Sequence, residues 1–371
     1  MTMGNKWNAS CRFFNENYAC DTLTTEGLKS CEECKFSSPY SKKILIIKLG
    51  ALGDVLRTTP ILRAIKEKYP SSLIYWLVQD SYGEGKELLN NNPYIDKILI
   101  LNMENILRLE QEKFDILYSL EITTPGTLVA NIVKANERYG YYFNDGATFC
   151  FNENAEAYLE TAFLSHIKKQ NKKTYQESIF QTCELPYNKE EIVFNLTEKD
   201  KEYAENFKKQ NNLENKKILG INFGSGKRWP SRAWSKEKFK ELIRKIKDEY
   251  KIILLGGPNE EEEMPAFAKE LASEGITITT NNPKNSISEF ASILDLCDKI
   301  ITADSFALHL STALKKPTIA LFFSTPPQEI EDYGIVKKLI SPLLEKYLFS
   351  NFYSEELTKS ISVDEVLKVL E

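Results

Sequence analysis

Lys43 to Pro70 reads KILIIKLGALGDVLRTTPILRAIKEKYP, and this stretch decides the fold. Ile44–Leu49 is an apolar run of strand length, rich in β-branched residues and interrupted by Lys48 alone. Gly50 and Gly53 punctuate a short turn, after which Val55, Leu56, Ile61, Leu62 and Ile65 recur at helical spacing. The pattern predicts a buried parallel strand feeding a helix through a glycine turn, with the helical pattern running over 55–68. The turn departs from the G-x-G-x-x-G dinucleotide fingerprint and places Asp54 at the helix start instead. A helix dipole favours a carboxylate there, and that carboxylate would repel a phosphate seeking the same amides. The turn is therefore suited to holding an acid or base at the carboxyl edge of a sheet. Taken alone, Asp54 has a second reading as an ordinary first-turn helix acid.

A second unit, KIITADSFALHLSTALKKPTIALFF over 299–323, reads in the same way. Ile300 and Ile301 lead into Asp304-Ser305, a helix-start pair, and Ala307, Leu310, Ala313 and Leu314 supply an apolar face. Pro317 closes the unit before the apolar run Thr318–Phe323. His309, one of two histidines with His166, falls inside this helix. A helical histidine is often a packed bystander. Its company with Asp304 and Ser305 at a helix N-terminus, where amides bind anions, favours a functional reading.

Between these units strands alternate with helices, the pattern of parallel sheets covered on both faces. Strands are expected at 73–78, 95–101 and 114–120, and helices at 103–112 and about 125–135. The pattern loosens over 140–174, which reads as a loop-rich stretch suited to acceptor contacts or a lid. A charged stretch near 195–216 precedes a restart at KKILGINFGSGKRWP. The strand Ile218–Phe223 runs into Gly-Ser-Gly and then Lys227-Arg228-Trp229-Pro230. Lys227 and Arg228 have a bland reading as surface charges, but their place after a strand end favours phosphate contact, with Trp229 packed beneath. A helix at about 235–249 and the strand Lys251–Leu255 then deliver a Gly256-Gly257-Pro258-Asn259 turn. The acidic run Glu260–Glu263 reads as a solvated first turn, with Glu260 also a candidate for contact with a ribose or base. Such turns gather at the carboxyl edge of an open parallel sheet, where ligands bind.

The 371 residues carry a net charge of −5, with 42% hydrophobic and 27% charged residues. That composition suits a soluble protein with two cores and argues against a general nucleic-acid surface. The sequence contains neither a membrane-span-length apolar run nor a secretory signal pattern. A cytoplasmic location with at most peripheral membrane contact is expected. Cys11, Cys20, Cys31 and Cys34 crowd into the first 34 residues, spaced C-x8-C-x10-C-x2-C. Four thiolates so close can satisfy a tetrahedral ion, and a polar arm without a core of its own needs such a staple. A structural zinc or iron is expected, with disulfides the alternative. Cys150, Cys183 and Cys297 are scattered and read as packing residues.

Together these residues resemble the heptosyltransferases of glycosyltransferase family 9. The resemblance covers roughly 43–330 and rests on L-G-x-L-G-D-V, G-x-G-K-R-W-P, L-G-G-P-N-E, and D-S-x-x-x-H-L followed by K-P-T-x-A-L-F. It implies an α/β GT-B fold: two Rossmann-like domains whose parallel sheets face a central cleft. The expected division is a cysteine arm over 1–40, an acceptor domain over 41–200 and a donor domain over 201–371. The resemblance also implies an inverting transfer without a catalytic metal. By position it makes Asp54 the catalytic base, Lys227 a phosphate contact and Glu260 a nucleoside contact, with Asp304, Ser305 and His309 as donor-binding residues. Arg228 and Gly257 join them as donor-side candidates.

Two departures stand out: Phe306 follows Asp304-Ser305 where the family often has glycine, and Ser324 follows Phe323 where many relatives have glycine. Bulk at Phe306 would narrow a diphosphate site. The expected function is transfer of a heptose, from ADP-heptose, to a glycan or glycolipid acceptor such as lipopolysaccharide inner core. Cysteine clusters occur in heptosyltransferases acting on autotransporter proteins, so a protein acceptor is an alternative. Others are a non-catalytic nucleotide-sugar-binding protein and a nicotinamide or flavin oxidoreductase, the last weakened by the absent fingerprint.

Overall fold

The strand that begins at Lys43 is the centre of a six-stranded sheet. A computed structural model describes residues 6–80, 83–224 and 230–370, so Lys227 and Arg228 lie outside the described residues. The first half contributes β1 (Lys43–Ile47), β2 (Leu73–Val78), β3 (Lys97–Ile100), β4 (Lys113–Ser119), β5 (Lys134–Asn144) and β6 (Ala147–Cys150). The second contributes β7 (Lys217–Asn222), β8 (Tyr250–Leu255), β9 (Thr279–Thr280), β10 (Lys299–Ala303), β11 (Thr318–Phe322) and β12 (Val336–Ile340). The sheets are ordered β3-β2-β1-β4-β5-β6 and β12-β11-β10-β7-β8-β9. Each reverses direction of growth between its first and fourth strands. At such a reversal the following loops diverge and open a crevice at the carboxyl edge. Asp54 follows β1, and Asp304 follows β10, so both candidate units sit at these crevices.

Burial explains the continuous apolar runs. β2 is buried along its whole length, and Ile44–Ile47 of β1 are inaccessible because helices cover both sheet faces. One apolar cluster joins Ile44, Ile116 and Trp76 of the first half to Ile218, Ile253 and Ile300 of the second. The halves also touch through polar groups: both carboxylate oxygens of Glu87 accept amides at the start of helix Ile287–Asp295, from Ile287 at 3.1 Å and Ser288 at 2.9 Å.

Three local expectations change. The helical pattern over 55–68 divides into Leu52–Thr58 and Ile61–Lys68, broken at Pro60, which has no amide for the helix ladder. The stretch 140–174 is mostly regular, holding the β5–β6 antiparallel hairpin and the helices Glu156–Phe163 and Ser165–Gln170. Those two helices bury no residue fully, so no clean apolar stripe marks them in sequence. The acidic run opens on a 3-10 turn over Pro258–Glu260, and the α-helix begins only at Glu263.

The cysteine arm packs at the opposite edge of the first sheet. Arg12 pairs with Asp96 and donates to the Ser72 carbonyl at 2.8 Å, and Glu16 pairs with Lys97 and Arg108. These partners sit at the amino ends of β2 and β3 or on the helix Met103–Gln111. The arm is thus separated from Asp54 by the length of β1, roughly 16 Å at about 3.3 Å per residue.

Candidate active site

Strand register brings the first group together. Ile47 of β1 stands beside Ser119 of β4, so the chain leaving each strand continues side by side. Lys48 Nζ then donates to Glu121 Oε2 at 3.1 Å, and the Leu49 amide donates to the same oxygen at 3.2 Å. Glu121 Oε1 accepts from the Thr123 amide at 3.2 Å. The Lys48 and Glu121 side chains are only 5% and 4% exposed, so each charge relies on the other for compensation. Burial works to discharge Lys48, but the Asp54 and Glu121 carboxylates overcome it and raise its pKa. Trp76 Nε1 fixes the same turn by donating to the Lys48 carbonyl at 3.1 Å.

Asp54 lies one turn further on, in helix Leu52–Thr58. Arg57 donates to its Oδ1 twice, from Nε at 3.1 Å and from Nη2 at 2.8 Å. The Arg57 guanidinium also lies 4.1 Å from the centre of the Tyr175 ring, and the Tyr175 hydroxyl meets Thr58 Oγ1 at 2.9 Å. Asp54 keeps 34% of its side chain open. Burial pushes its carboxyl pKa up, but Arg57 and then Lys48 bring it below the ordinary value, so the group is ionised at neutral pH. A cavity of about 710 Å³ opens over it, lined among others by Lys48, Asp54, Arg57, Tyr158, Lys168 and Glu329. Burial raises the Glu329 pKa, with Arg57 and Lys168 opposing.

The second group forms where β10 runs beside β7, Ile301 against Ile221. Ser305 is the residue before helix Phe306–Ala313, yet its side chain does not cap that helix. Its hydroxyl meets Thr302 Oγ1 at 2.9 Å and accepts from Asn222 Nδ2 at 3.2 Å, tying the two strand ends together. Arg232 donates to the Asp304 carbonyl at 3.1 Å and stands 3.4 Å from its carboxylate. Glu260 Oε2 accepts from the Gly257 amide at 3.0 Å. Its carboxyl group lies so close to Gly224 that a Cβ there would come within 2.2 Å of Glu260 Cδ, so a larger residue would displace that carboxylate. A cavity of about 750 Å³ is lined by Gly224, Arg232, Gly257, Glu260, Ser305 and Phe306, among others. Leu52 and Glu84 line both cavities, which therefore adjoin beside Asp54.

His309 closes the join. Its Nε2 is 4.0 Å from Asp304 Oδ1. Burial, and next Arg57, lowers its pKa to about 4, so the imidazole is neutral at physiological pH and the approach to Asp304 is not an ion pair there.

Of the sequence candidates, Asp54 and His309 are brought to one join, while Gly257, Glu260 and Ser305 line the second cavity, with Asp304 held by Arg232 next to Ser305. Sequence reading missed Lys48 as a site residue, along with Arg57, Glu121, Tyr175 and Arg232. Lys48 carried a signal, a lone charge in an otherwise apolar buried strand. Arg232 lies just past the Lys-Arg pair on which the reading stopped.

The arm cysteines do not join this site. Cys11, Cys20, Cys31 and Cys34 are free thiols lining one cavity of about 650 Å³ with Trp7, Phe13 and Phe36 among its other residues. Among the described residues no three Cys, His, Asp or Glu side chains stand as a metal-ligating group. The four thiols thus line one shared space.

A sequence model of glycosyltransferase family 9 (heptosyltransferase) matches residues 105–348. Lipopolysaccharide heptosyltransferase 1 of Campylobacter coli is 28% identical over 314 residues, covering 76% of this chain and 84% of that relative. The solved structure of a family 9 glycosyl transferase from Veillonella parvula superposes with a TM-score of 0.69 at 18% identity, covering 89% of this chain and 96% of that one. That of the E. coli ADP-heptose lipopolysaccharide heptosyltransferase II gives 0.62 at 17% identity, covering 88% and 97%. The two parallel-dominated sheets are thus those of a GT-B fold. With the family model spanning most of its length, this chain belongs to glycosyltransferase family 9, the heptosyltransferases.

Proposed function

We propose that this glycosyltransferase moves a heptose from ADP-heptose to a hydroxyl of a lipopolysaccharide inner-core acceptor, with inversion at the anomeric carbon. The observation that carries the reading is the join itself: an ionised Asp54 open to one cavity, directly beside a second cavity rimmed by Arg232, Ser305 and a helix N-terminus. The acceptor occupies the first cavity and the donor the second. Asp54 takes the acceptor proton while that oxygen bonds to the anomeric carbon. The bond from carbon to the diphosphate oxygen breaks on the opposite face, and its electron pair leaves with ADP. Arg232, Lys227 and the amides after Ser305 stabilise the departing charge. Membership of the family sets aside the oxidoreductase alternative.

The division of the chain near residues 40 and 200, the cytoplasmic location and a structural zinc or iron in the arm belong to the same proposal. Four thiols around one cavity support the last.

Replacing Asp54 by Asn tests the assignment. Turnover should fall on the order of 10²–10⁴-fold while ADP affinity stays near that of the native enzyme. A loss below about tenfold would remove Asp54 as the base. Titration with ADP, UDP, GDP and NAD should rank ADP tightest; a tighter GDP or UDP would reassign the donor.

A further inference from the structure

Arg57 is used by nothing in the resemblance, yet it is a tightly held charged group at the join. Its side chain is 13% exposed and is clamped between Asp54 and the Tyr175 ring. Both of its bonds to Asp54 end on Oδ1, and among the described residues Oδ2 accepts none. Two donors in a rigid fork on one oxygen fix the carboxylate's rotation as well as its charge, which a point-like ammonium cannot do. Tyr175 in turn is fixed by Thr58 Oγ1, which itself donates to the Asp54 carbonyl at 2.7 Å. The loop of contacts closes on the residue it orients.

We propose that Arg57 is a positioning residue: it pins Asp54 through Oδ1 so that Oδ2 is the oxygen presented to the acceptor hydroxyl. This rests on the reading of Asp54 as the base. Arg57 does not touch the reacting atoms; it decides which oxygen does. A carboxylate so held meets the incoming hydroxyl in one orientation, and loss of that alignment costs rate more than binding. The charge of Arg57 has a second effect. Asp54 is faced by Arg57 on its own helix, Lys48 from the end of β1, His309 across the join, Tyr158 and Tyr175 from the neighbouring helices, and Glu329 from the second half. Burial alone would raise its pKa, and Arg57 is the largest influence against that.

Arg57→Ala and Arg57→Lys, compared for kcat, KM and the pH profile of kcat/KM, test the proposal. Arg57→Ala should lower kcat by about tenfold to a hundredfold with ADP affinity within about threefold of native. It should also move the acid limb of the profile to higher pH, because burial of Asp54 is then opposed mainly by Lys48. Removing Arg57 also relieves His309, whose pKa rises as well. The profile is therefore repeated in Arg57→Ala/His309→Asn, where a surviving shift belongs to Asp54.

Arg57→Lys keeps the charge and loses the fork. It should keep the native acid limb but still lose about tenfold in kcat, and it remains decisive if the alanine variant does not fold. Native kcat in Arg57→Lys would show that charge suffices and overturn the positioning role. Loss of kcat in Arg57→Ala with no shift of the limb in the double variant would mark a merely structural residue. If Asp54→Asn retains turnover, the base assignment itself falls; if it is inactive while both Arg57 variants are native, only this inference does.

Discussion

The imidazole of His309 rests on Gly53, so close that a Cβ on Gly53 would lie 2.6 Å from His309 Cδ2. Gly53 precedes Asp54 in the first half of the chain, and His309 belongs to the helix that follows β10 in the second. The turn carrying the base and the unit carrying the donor-side residues are thus in direct contact, through a position where any side chain would intrude.

Gly53→Ala should force the halves apart locally. Overpacking of this kind costs about 1–3 kcal/mol, and turnover should fall because the two cavities no longer align. Denaturant unfolding and turnover check it. Native stability together with native turnover would mean that His309 moves aside freely.

His309 should make stability fall as the solution becomes mildly acidic. Its folded pKa of about 4 lies below the ordinary value of 6.5. The unfolded chain therefore binds more protons between those values, so stability present above pH 6.5 is lost as pH falls toward 4. The whole effect is at most about 3 kcal/mol. Asp54, whose pKa lies below 3.8, adds its own loss only below that window. Unfolding midpoints measured from pH 7 to 4.5 should decline less steeply in His309→Asn; an identical decline would locate the proton uptake elsewhere.

Lys227→Ala and Arg232→Ala should each weaken ADP far more than adenosine. A charge-assisted bond to phosphate is worth roughly 1.5–3 kcal/mol, or about tenfold and more in affinity. Equal losses for the two ligands, read by calorimetric titration, would put the residue away from the diphosphate.

Protein purified without added metal should carry close to one zinc or iron per chain, lost in Cys31→Ser/Cys34→Ser. Because the arm packs on the far edge of the first sheet, the double variant should lose thermal stability and keep Asp54-dependent turnover in its folded fraction. A metal-free native protein would reject the metal, and abolished turnover in a fully folded variant would move the arm into the site.

The elements that were legible in sequence are those with a local period. β1, β2 and the unit over 299–323 stood out because buried strands are continuously apolar and a glycine or Asp-Ser turn ends each one abruptly. The helices Glu156–Phe163 and Ser165–Gln170 were not legible, since neither has a buried face to impose a stripe.

The sequence by itself determined that two strand–turn–helix units exist and that Asp54 and Asp304 stand at their turns. Local hydrophobic periodicity and turn chemistry depend only on neighbours in the chain, so one sequence suffices to read them. Tertiary structure alone decided that Lys48 pairs with Glu121, 73 residues away, and that His309 covers Gly53. It also decided that Arg57 turns both donors onto one oxygen of Asp54. Those outcomes depend on which strands lie side by side, in what register, and on how closely the two halves approach. No local spacing carries that information, because burial and charge compensation arise only once distant segments have packed.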